Sequence, residues 1–503
     1  MYKNITITVL FVIIVIIIII ICICFFILFY FLMIWNGNVF KRAIDRRMRV
    51  VIVGAGLSGL SLAAFLRRLN VDCVVLEQAP FLRANYQTPF TLFANALSCY
   101  KAFGMDHVLS GGDVVSDDYF GILDERLRWL LRVRNRTVHL RALGDGEMIP
   151  LSTAPAANSE SIVSQRIQEK MKQELGSVPL RATFSADYLR RILRYHVEDV
   201  RFNSRAVDLL PHDGIKGGVH VVLENGQTEW GDVVVGADGA HSTIRRLLYP
   251  SEYIGTSSRS LGMTQVDGFV ELGHDVCPTG DYPVEVWGRR RVLSCVPLYC
   301  DGRVQLAFSA TLYDPPMEVV DIYSETDAMA VRDVYRALLH REFAAFGDDI
   351  SGLLQRAEVA VPTELVEVPV MPRWFNKRAV LIGEAAHGSL PSFLAQDASL
   401  CVEDAALLAA SLLDVPLQSD TGFEYIFKQF ETLRRDRAER YIRQSRRARR
   451  FTSLSYNTVR DAMLKATPSV ALMWFQRWLS NWRYNSQQLE VDPKIKAETA
   501  FRS

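Results

Sequence analysis

The stretch Val50-Val-Ile-Val53-Gly54-Ala-Gly56-Leu57-Ser58-Gly59 decides the fold. Four apolar residues form a short buried-strand pattern, and three glycines at G-x-G-x-x-G spacing follow at once. A helix-like run, Leu60–Leu69, comes next, then a second strand, Val71–Leu76, closing on Glu77 and Gln78. The spacing predicts a β-α-β unit that binds a nucleotide. The first glycine permits the tight turn, and the second lets the backbone approach a pyrophosphate. The third allows close helix–strand packing, while the helix N-terminus faces the phosphate charge. Glu77 stands 21 residues after Gly56, where a carboxylate accepts hydrogen bonds from ribose hydroxyls and disfavours a 2′-phosphate. The unit alone does not separate NAD from FAD.

Upstream, Val9–Trp35 is an unbroken run of 27 apolar or cysteine residues. As a helix it would span roughly 40 Å, enough to cross a hydrocarbon core of roughly 30 Å with tilt. Lys3 precedes it, and Lys41, Arg42, Arg46, Arg47 and Arg49 follow. The expectation is a single-pass membrane protein with its body facing the cytosol; a translation start at Met48 is the alternative, giving a soluble cytosolic body. The 503 residues carry 57 Lys+Arg against 56 Asp+Glu, a balance that argues against a nucleic-acid binder relying on a basic face. No CxxC pair occurs among the cysteines of the body, which fits reduced thiols. Nine scattered histidines, without HxH, HExxH or a Cys/His cluster, argue against a catalytic metal. No GxSxG elbow supports a hydrolase.

Downstream, Ala186–Val197 reads as a helix, and Val219–Leu223 and Val233–Val235 as strands around the turn Glu224-Asn-Gly226. Residues 110–180 stay unassigned, apart from a basic stretch, Arg126–Arg141, and a polar one, Ser152–Glu169. From Ser257 to Thr311 the pattern alternates, as in Val284–Trp287 and Val304–Phe308, which predicts an antiparallel sheet. Ala328–Phe346 reads helical and Arg378–Ile382 as a buried strand. Phe423–Phe451 is a long helix rich in arginine from Arg434 to Arg450. Its simplest reading is a solvated face; docking on an acidic leaflet is the alternative. The three-tryptophan segment Trp474–Trp482 reads as a helix packed on the body, with an interfacial contact as the alternative. Asn4 and Asn135 head glycosylation patterns.

Two later segments carry a resemblance. Asp232-Val-Val-Val-Gly-Ala-Asp238-Gly239-Ala-His-Ser242-Thr-Ile-Arg245-Arg246 is similar to the "DG" motif of FAD-dependent aromatic hydroxylases. Leu381-Ile-Gly383-Glu384-Ala-Ala-His387, followed by Pro391 and Glu403-Asp404-Ala405, resembles their "GD" motif, with Trp374 and Arg378 just ahead. From Met48 to about Arg450 the chain resembles the group A flavoprotein monooxygenases, the class of para-hydroxybenzoate and salicylate hydroxylases. The resemblance implies an α/β fold in which a Rossmann-like FAD-binding domain is interleaved with a substrate domain built on an antiparallel sheet. With the transmembrane anchor, the expected segments are 1–47 anchor and basic flank, 48–256 first FAD part, 257–370 substrate-domain sheet, 371–450 second FAD part with the long helix, and 451–503 helical extension.

The resemblance also implies site residues. Gly54, Gly56, Leu57, Ser58, Gly59, Glu77 and Gln78 would hold the ADP half of FAD. Asp238 and Gly239 would support the cofactor region, and Glu384 would take the place of the acid that meets the ribityl chain. Pro391 through Ala398, including Gln396 and Asp397, would line the isoalloxazine ring. The sequence departs from the family in three places. Glu384 replaces an aspartate, and Leu394-Ala-Gln396-Asp397 replaces Gly-Gln-Gly. Ser185 stands where an arginine is usual, with Arg181 four residues earlier as its substitute. His387 reads as a packed or backbone-bonded residue. The implied activity uses NAD(P)H and O2 to hydroxylate a small aromatic or lipophilic substrate through a C4a-hydroperoxyflavin. The alternatives are epoxidation of a membrane polyene and a flavoprotein-like scaffold without turnover. No catalytic residue is nominated.

Overall fold

Strand β1 (Arg49–Val53) is buried from Val50 onward because parallel strands flank it on both sides, β2 (Asp72–Leu76) and β12 (Val233–Gly236). Strands β8 (Val200–Arg201), β20 (Ala379–Leu381) and β19 (Phe375–Asn376) complete a six-stranded sheet in the order β19-β20-β12-β1-β2-β8. A computed structural model describes residues 48–134 and 181–472, apart from 83–88, 110–113, 117–118, 213–216, 250–257, 273–276, 281, 301–302, 314–327, 360–361, 369–370, 372, 389–395, 414–419, 455–456 and 470. From Arg49 onward the chain is one compact unit.

Helix α1 (Leu57–Arg68) lies over this sheet with Leu60, Leu62, Ala63, Ala64, Phe65 and Leu66 fully buried. Helices α2 (Ala94–Ala102), α3 (Ala186–Tyr195), α4 (Thr243–Leu248) and α7 (Glu384–His387) sit around it. Against α1 packs α8 (Asp397–Leu412), whose Ala-rich sequence allows close approach and whose side chains are nearly all buried. A small sheet runs β3-β7-β4 (Pro89–Phe93, Arg181–Ser185 and Val114–Ser116), and β9 (Ala206–Pro211), β10 (Val219–Leu223) and β11 (Thr228–Gly231) form a separate meander.

The second large element is an eight-stranded, mainly antiparallel sheet. Its path is β17-β13-β16-β15-β14-β5-β6, with β18 also on β13. The members are β5 (Tyr119–Asp124), β6 (Trp129–Arg134), β13 (Arg259–Glu271), β14 (Val284–Trp287), β15 (Arg291–Cys300), β16 (Arg303–Tyr313), β17 (Glu358–Val359) and β18 (Thr363–Glu367). Strands β5 and β6 come from the stretch that sequence patterning leaves unassigned. Alternate residues of one face, among them Val266, Phe308, Leu293, Cys295 and Val286, bury against α5 (Ala328–Glu342) and α6 (Asp348–Arg356), as a period of two demands.

Helix α9 (Asp420–Thr452) buries a stripe of Phe423, Phe427, Phe430, Arg434, Ala438, Tyr441 and Ser445 at three- and four-residue steps, the spacing of one helical face. Its arginines are therefore not all solvated. Arg434 is fully buried, donating from Nη1 to Glu403 and from Nε to Asp404, each at 2.5 Å. Arg437 donates twice to Glu403 at 2.6 Å. The short helix α10 (Asn457–Ala466) follows.

The expected single-pass membrane placement is corrected. No helix among the described residues is long and apolar enough to cross a membrane, and α9, the longest of them, is polar along most of its surface. Length and apolarity license a span without establishing one, and the run Val9–Trp35 on which that expectation rested lies outside the described residues. Asn4, Asn135, Ser152–Glu169 and Trp474–Trp482 also lie outside them.

The buried pairs make a prediction. Arg434→Met leaves two buried carboxylates short of a cation and should cost about 3–5 kcal/mol in urea unfolding. Arg446→Ala, which breaks a largely exposed pair with Glu367, should cost no more than about 1 kcal/mol.

Candidate active site

The turn after β1 is built on contacts that leave no room for side chains. Gly54 has φ +106°, and a Cβ there would stand 2.5 Å from the Ala237 carbonyl oxygen; a Cβ on Gly59 would stand 2.0 Å from that of Gly54. These approaches bring the end of β12 and the start of α1 onto one spot. At Gly56 the reverse holds: among the described residues nothing lies within 4 Å of an added Cβ, and Gly56 offers no side chain to cap α1. The first amides of α1 thus face open space without an acidic residue in the first turn, a cradle suited to a phosphate group. Leu57 is half-buried and Ser58 buried. Glu77 accepts from the amide of Ala55 at 2.8 Å and of Ala79 at 2.9 Å. Each of its oxygens keeps a lone pair, which a ribose hydroxyl can use. Gln78 is exposed at the strand end.

Asp238 follows β12 and turns inward to cap α4. It accepts from the amides of Thr243 at 2.7 Å and Ile244 at 3.1 Å, and from the Ser242 hydroxyl. Burial pushes its carboxyl upward, and these donors offset part of that. Its part is to shape the turn at Gly239, which has φ +77° and faces Glu384, 3.8 Å from where a Cβ would be. Gly383 approaches Ser58 more closely still, so that the Ser58 Oγ would stand 2.2 Å from an added Cβ. The three motifs therefore meet at one place. Arg245, unassigned by sequence although it lies in a quoted motif, holds them there: its buried guanidinium donates to the carbonyls of Ala240, Glu384 and Ala385.

Behind Glu384, Asp404 accepts from the amide of Gly383 at 2.8 Å and contacts His387 Nε2 at 2.8 Å, while His387 Nδ1 lies 3.1 Å from the Gly388 carbonyl oxygen. Burial opposes the charge on Asp404, yet Arg434 and His387 outweigh it and hold the carboxyl down to about 2. His387 is thus the backbone-bonded residue expected, with a carboxylate as its second partner. Trp374 packs beside it, ring centroids 5.4 Å apart.

Gln396, Asp397 and Ala398 stand at the start of α8; Pro391 and the rest of the loop to 395 lie outside the described residues. Gln396 is fixed, its amide donating to Tyr441 at 3.1 Å and its side-chain oxygen accepting from Asn95 at 3.3 Å. Nothing in the sequence pointed to Asn95. Burial first, and then the nearby charge of Glu384, raise the Asp397 carboxyl to about 6. Arg181 opens β7, buried, with its guanidinium 4.1 Å from the Phe120 ring centroid. Ser185, at the position of the usual arginine, caps α3 by accepting from the Tyr188 amide at 3.0 Å.

Known proteins share this fold. Residues 47–272 match the FAD binding domain family. An FAD-dependent monooxygenase of Aspergillus niger is 24% identical over 89% of this chain and 98% of its own. A 3-amino-4-hydroxybenzoate 2-monooxygenase of Streptomyces cremeus is 26% identical over 84% and 93%. Among solved structures, Klebsiella pneumoniae HpxO complexed with FAD and uric acid superposes with a TM-score of 0.64 at 20% identity, covering 86% of this chain and 96% of that one.

Asp397 gives a pH prediction. Its folded value of about 6 exceeds the ordinary 3.8, so the folded chain holds the proton more tightly than the unfolded one. Stability falls as pH rises from about 4 to about 6, and the cost is fully present above that window. Asp397→Asn should therefore stabilise the flavin-free protein by on the order of 2 kcal/mol at pH 7.5 and by almost nothing near pH 4, read from thermal melts at both.

Proposed function

We propose that this chain, which belongs to the FAD-dependent group A flavoprotein monooxygenases, hydroxylates a small aromatic compound with NAD(P)H and O2 as co-substrates. The convergence of Gly54–Gly59, Asp238–Gly239 and Gly383–Glu384 at one open cradle carries the reading. Relatives named for 3-amino-4-hydroxybenzoate and urate support a ring compound as substrate, in preference to a membrane polyene. We take the FAD-binding part as 48–256 with 371–450 and the substrate part as centred on 257–370, to which β5 and β6 contribute strands.

The residues present fit FAD. The α1 amides beside Gly56 would take the pyrophosphate and Glu77 the adenosine ribose. Gly239 and Glu384 would flank the ribityl chain, and Gln396–Ala398 would bring the N-terminus of α8 to the ring system. FAD, when bound, would supply the redox chemistry for a reaction in which NAD(P)H gives two electrons, one atom of O2 enters an electron-rich ring carbon and the other leaves as water. The chain supplies orientation and a water-poor enclosure, with the eight-stranded sheet as its roof. Asp397, if ionised, adds negative charge where α8 starts, so its protonation would favour an anionic partner there.

Two measurements test this. The purified chain should bind FAD with a yellow, near-450 nm spectrum and oxidise NADH or NADPH faster when phenols are added. A protein that stays colourless after incubation with FAD would sink the reading. Gly56→Ala has room for its methyl within the protein but fills the approach to the phosphates. It should weaken FAD binding at least tenfold while the flavin-free melting temperature stays within about 3 °C.

A further inference from the structure

Four polar side chains stand in a row across the inner face of the roof sheet. The register sets Asp267 opposite Ser309, Ser309 opposite Ser294, and Ser294 opposite Glu285. With strands about 4.8 Å apart, the row is about 14 Å long. All four are half-buried, whereas their sequence neighbours Val266, Phe308, Ala310, Leu293, Cys295, Val284 and Val286 point the other way into the core. On the inner side, β15 and β16 pack against β3, β4 and β7, so the row faces the FAD-binding part of the molecule. Arg181 of β7 reaches the same space, close enough for its charge to act on Glu285.

The two carboxylates of the row are not held as the fold's other buried carboxylates are. Asp267 accepts from the Ser309 hydroxyl at 2.6 Å and the Gln265 amide at 2.8 Å; both are neutral, and no ion pair to Asp267 is present among the described residues. Burial pushes its carboxyl upward, only partly offset by these donors. Glu285 accepts from the Trp287 indole at 2.8 Å, and burial raises it too. Enclosing a carboxylate with neutral partners costs free energy that an asparagine or an apolar residue would avoid. A group kept at such a cost on a face turned towards the reacting centre is suited to contacting substrate.

We propose that Asp267 is the hydrogen-bond acceptor that orients the substrate, and that the Ser309–Ser294–Glu285 row extends this polar strip. The strip selects an aromatic compound that presents a neutral donor, a phenolic hydroxyl, an amino group or a ring N–H. It rejects a compound whose only polar group is a carboxylate, because that anion would lie against Asp267. The proposal rests on the aromatic-hydroxylase reading above.

The test uses the FAD-loaded full chain and two probe sets: neutral phenols and aminophenols, starting with ortho-aminophenol, and carboxylates without other polar groups, starting with benzoate. Binding is read from the change in flavin absorbance, and turnover from NAD(P)H oxidation. Wild type should bind the neutral set more tightly. Asp267→Asn keeps the shape and removes the charge. For ortho-aminophenol it should raise both Kd and KM at least tenfold, with kcat changed less than threefold, and it should tighten benzoate binding. FAD affinity should not move. A structural role would shift both probe sets together or neither, and either result overturns the proposal. If only carboxylates bind wild type, the role of Asp267 falls and the hydroxylase reading stands. If an FAD-loaded protein responds to no aromatic of either set, both fall.

Discussion

The constraint on which the rest of the site depends is the burial of two consecutive carboxylates, Glu403 and Asp404, in the middle of α8. Adjacent acids on one helix cannot both be sealed from water unless cations are brought to them. Arg434 answers to both at once, and Arg437 doubles the contact to Glu403. With the charges met, the remaining lone pairs do positional work. Asp404 fixes the amide of Gly383 and the ring of His387, and Glu403 accepts from Asn95 at 2.7 Å. One ionic cluster thus ties α2, α8 and α9 to the turn that presents Glu384. The turn of the β-α-β unit is set by its own glycine contacts, whereas the turn at Gly383–Glu384 is located by these pairs.

The tie explains how segments about 145 residues apart come into register. Asp238 spends its carboxylate on capping α4, and Arg245 on that helix reaches back to the carbonyls of Glu384 and Ala385. The middle motif is therefore fastened to the last one by backbone carbonyls, and the last one to α9 by charge. Asp238 and Arg245, both inside a quoted motif, thus act here as supports of the backbone around Gly239 and Glu384.

Much of this was legible in the sequence where local pattern and tertiary demand coincide. The apolar run before Gly54, the glycine spacing and Glu77 read directly, because close packing and a tight turn permit little else. Alternation gave β14 and β16, since one face of that sheet is core. Strands β5 and β6 are not legible: Tyr119–Arg134 is interrupted by charged residues, and β14, the partner of β5, is 163 residues away. Arg434 was misjudged with its neighbours, yet it falls on the stripe Phe423, Phe427, Phe430, Ala438, Tyr441. An arginine at a core position of such a stripe, with an Asp-Glu pair elsewhere in an apolar helix, was the available signal. Arg181 precedes Ser185 by four residues, but on a strand that spacing does not bring the two side chains to one place, and the Arg181 guanidinium lies over the Phe120 ring. The membrane reading rests on the length and hydropathy of one run and its flanking charges, which measure what a segment tolerates, not where it is.

Carboxylates shielded wholly or partly from water in this molecule divide by how their charge is met. Glu403 and Asp404 are surrounded by guanidinium groups and held below their ordinary values. Asp238 is pushed upward but spends its oxygens on two amides and a hydroxyl, a complete set of local donors. Asp267, Glu285 and Asp397 are pushed upward with fewer or weaker compensations. Two of these stand on the inner face of the roof and one at the start of α8. Stability alone does not account for acids left this way, since the same fold demonstrates how it pairs an acid it needs only for structure. The proposed role of Asp267 draws on that difference: a ligand with hydrogen-bond donors would complete an acid that the fold leaves to the neutral donors Ser309 and Gln265.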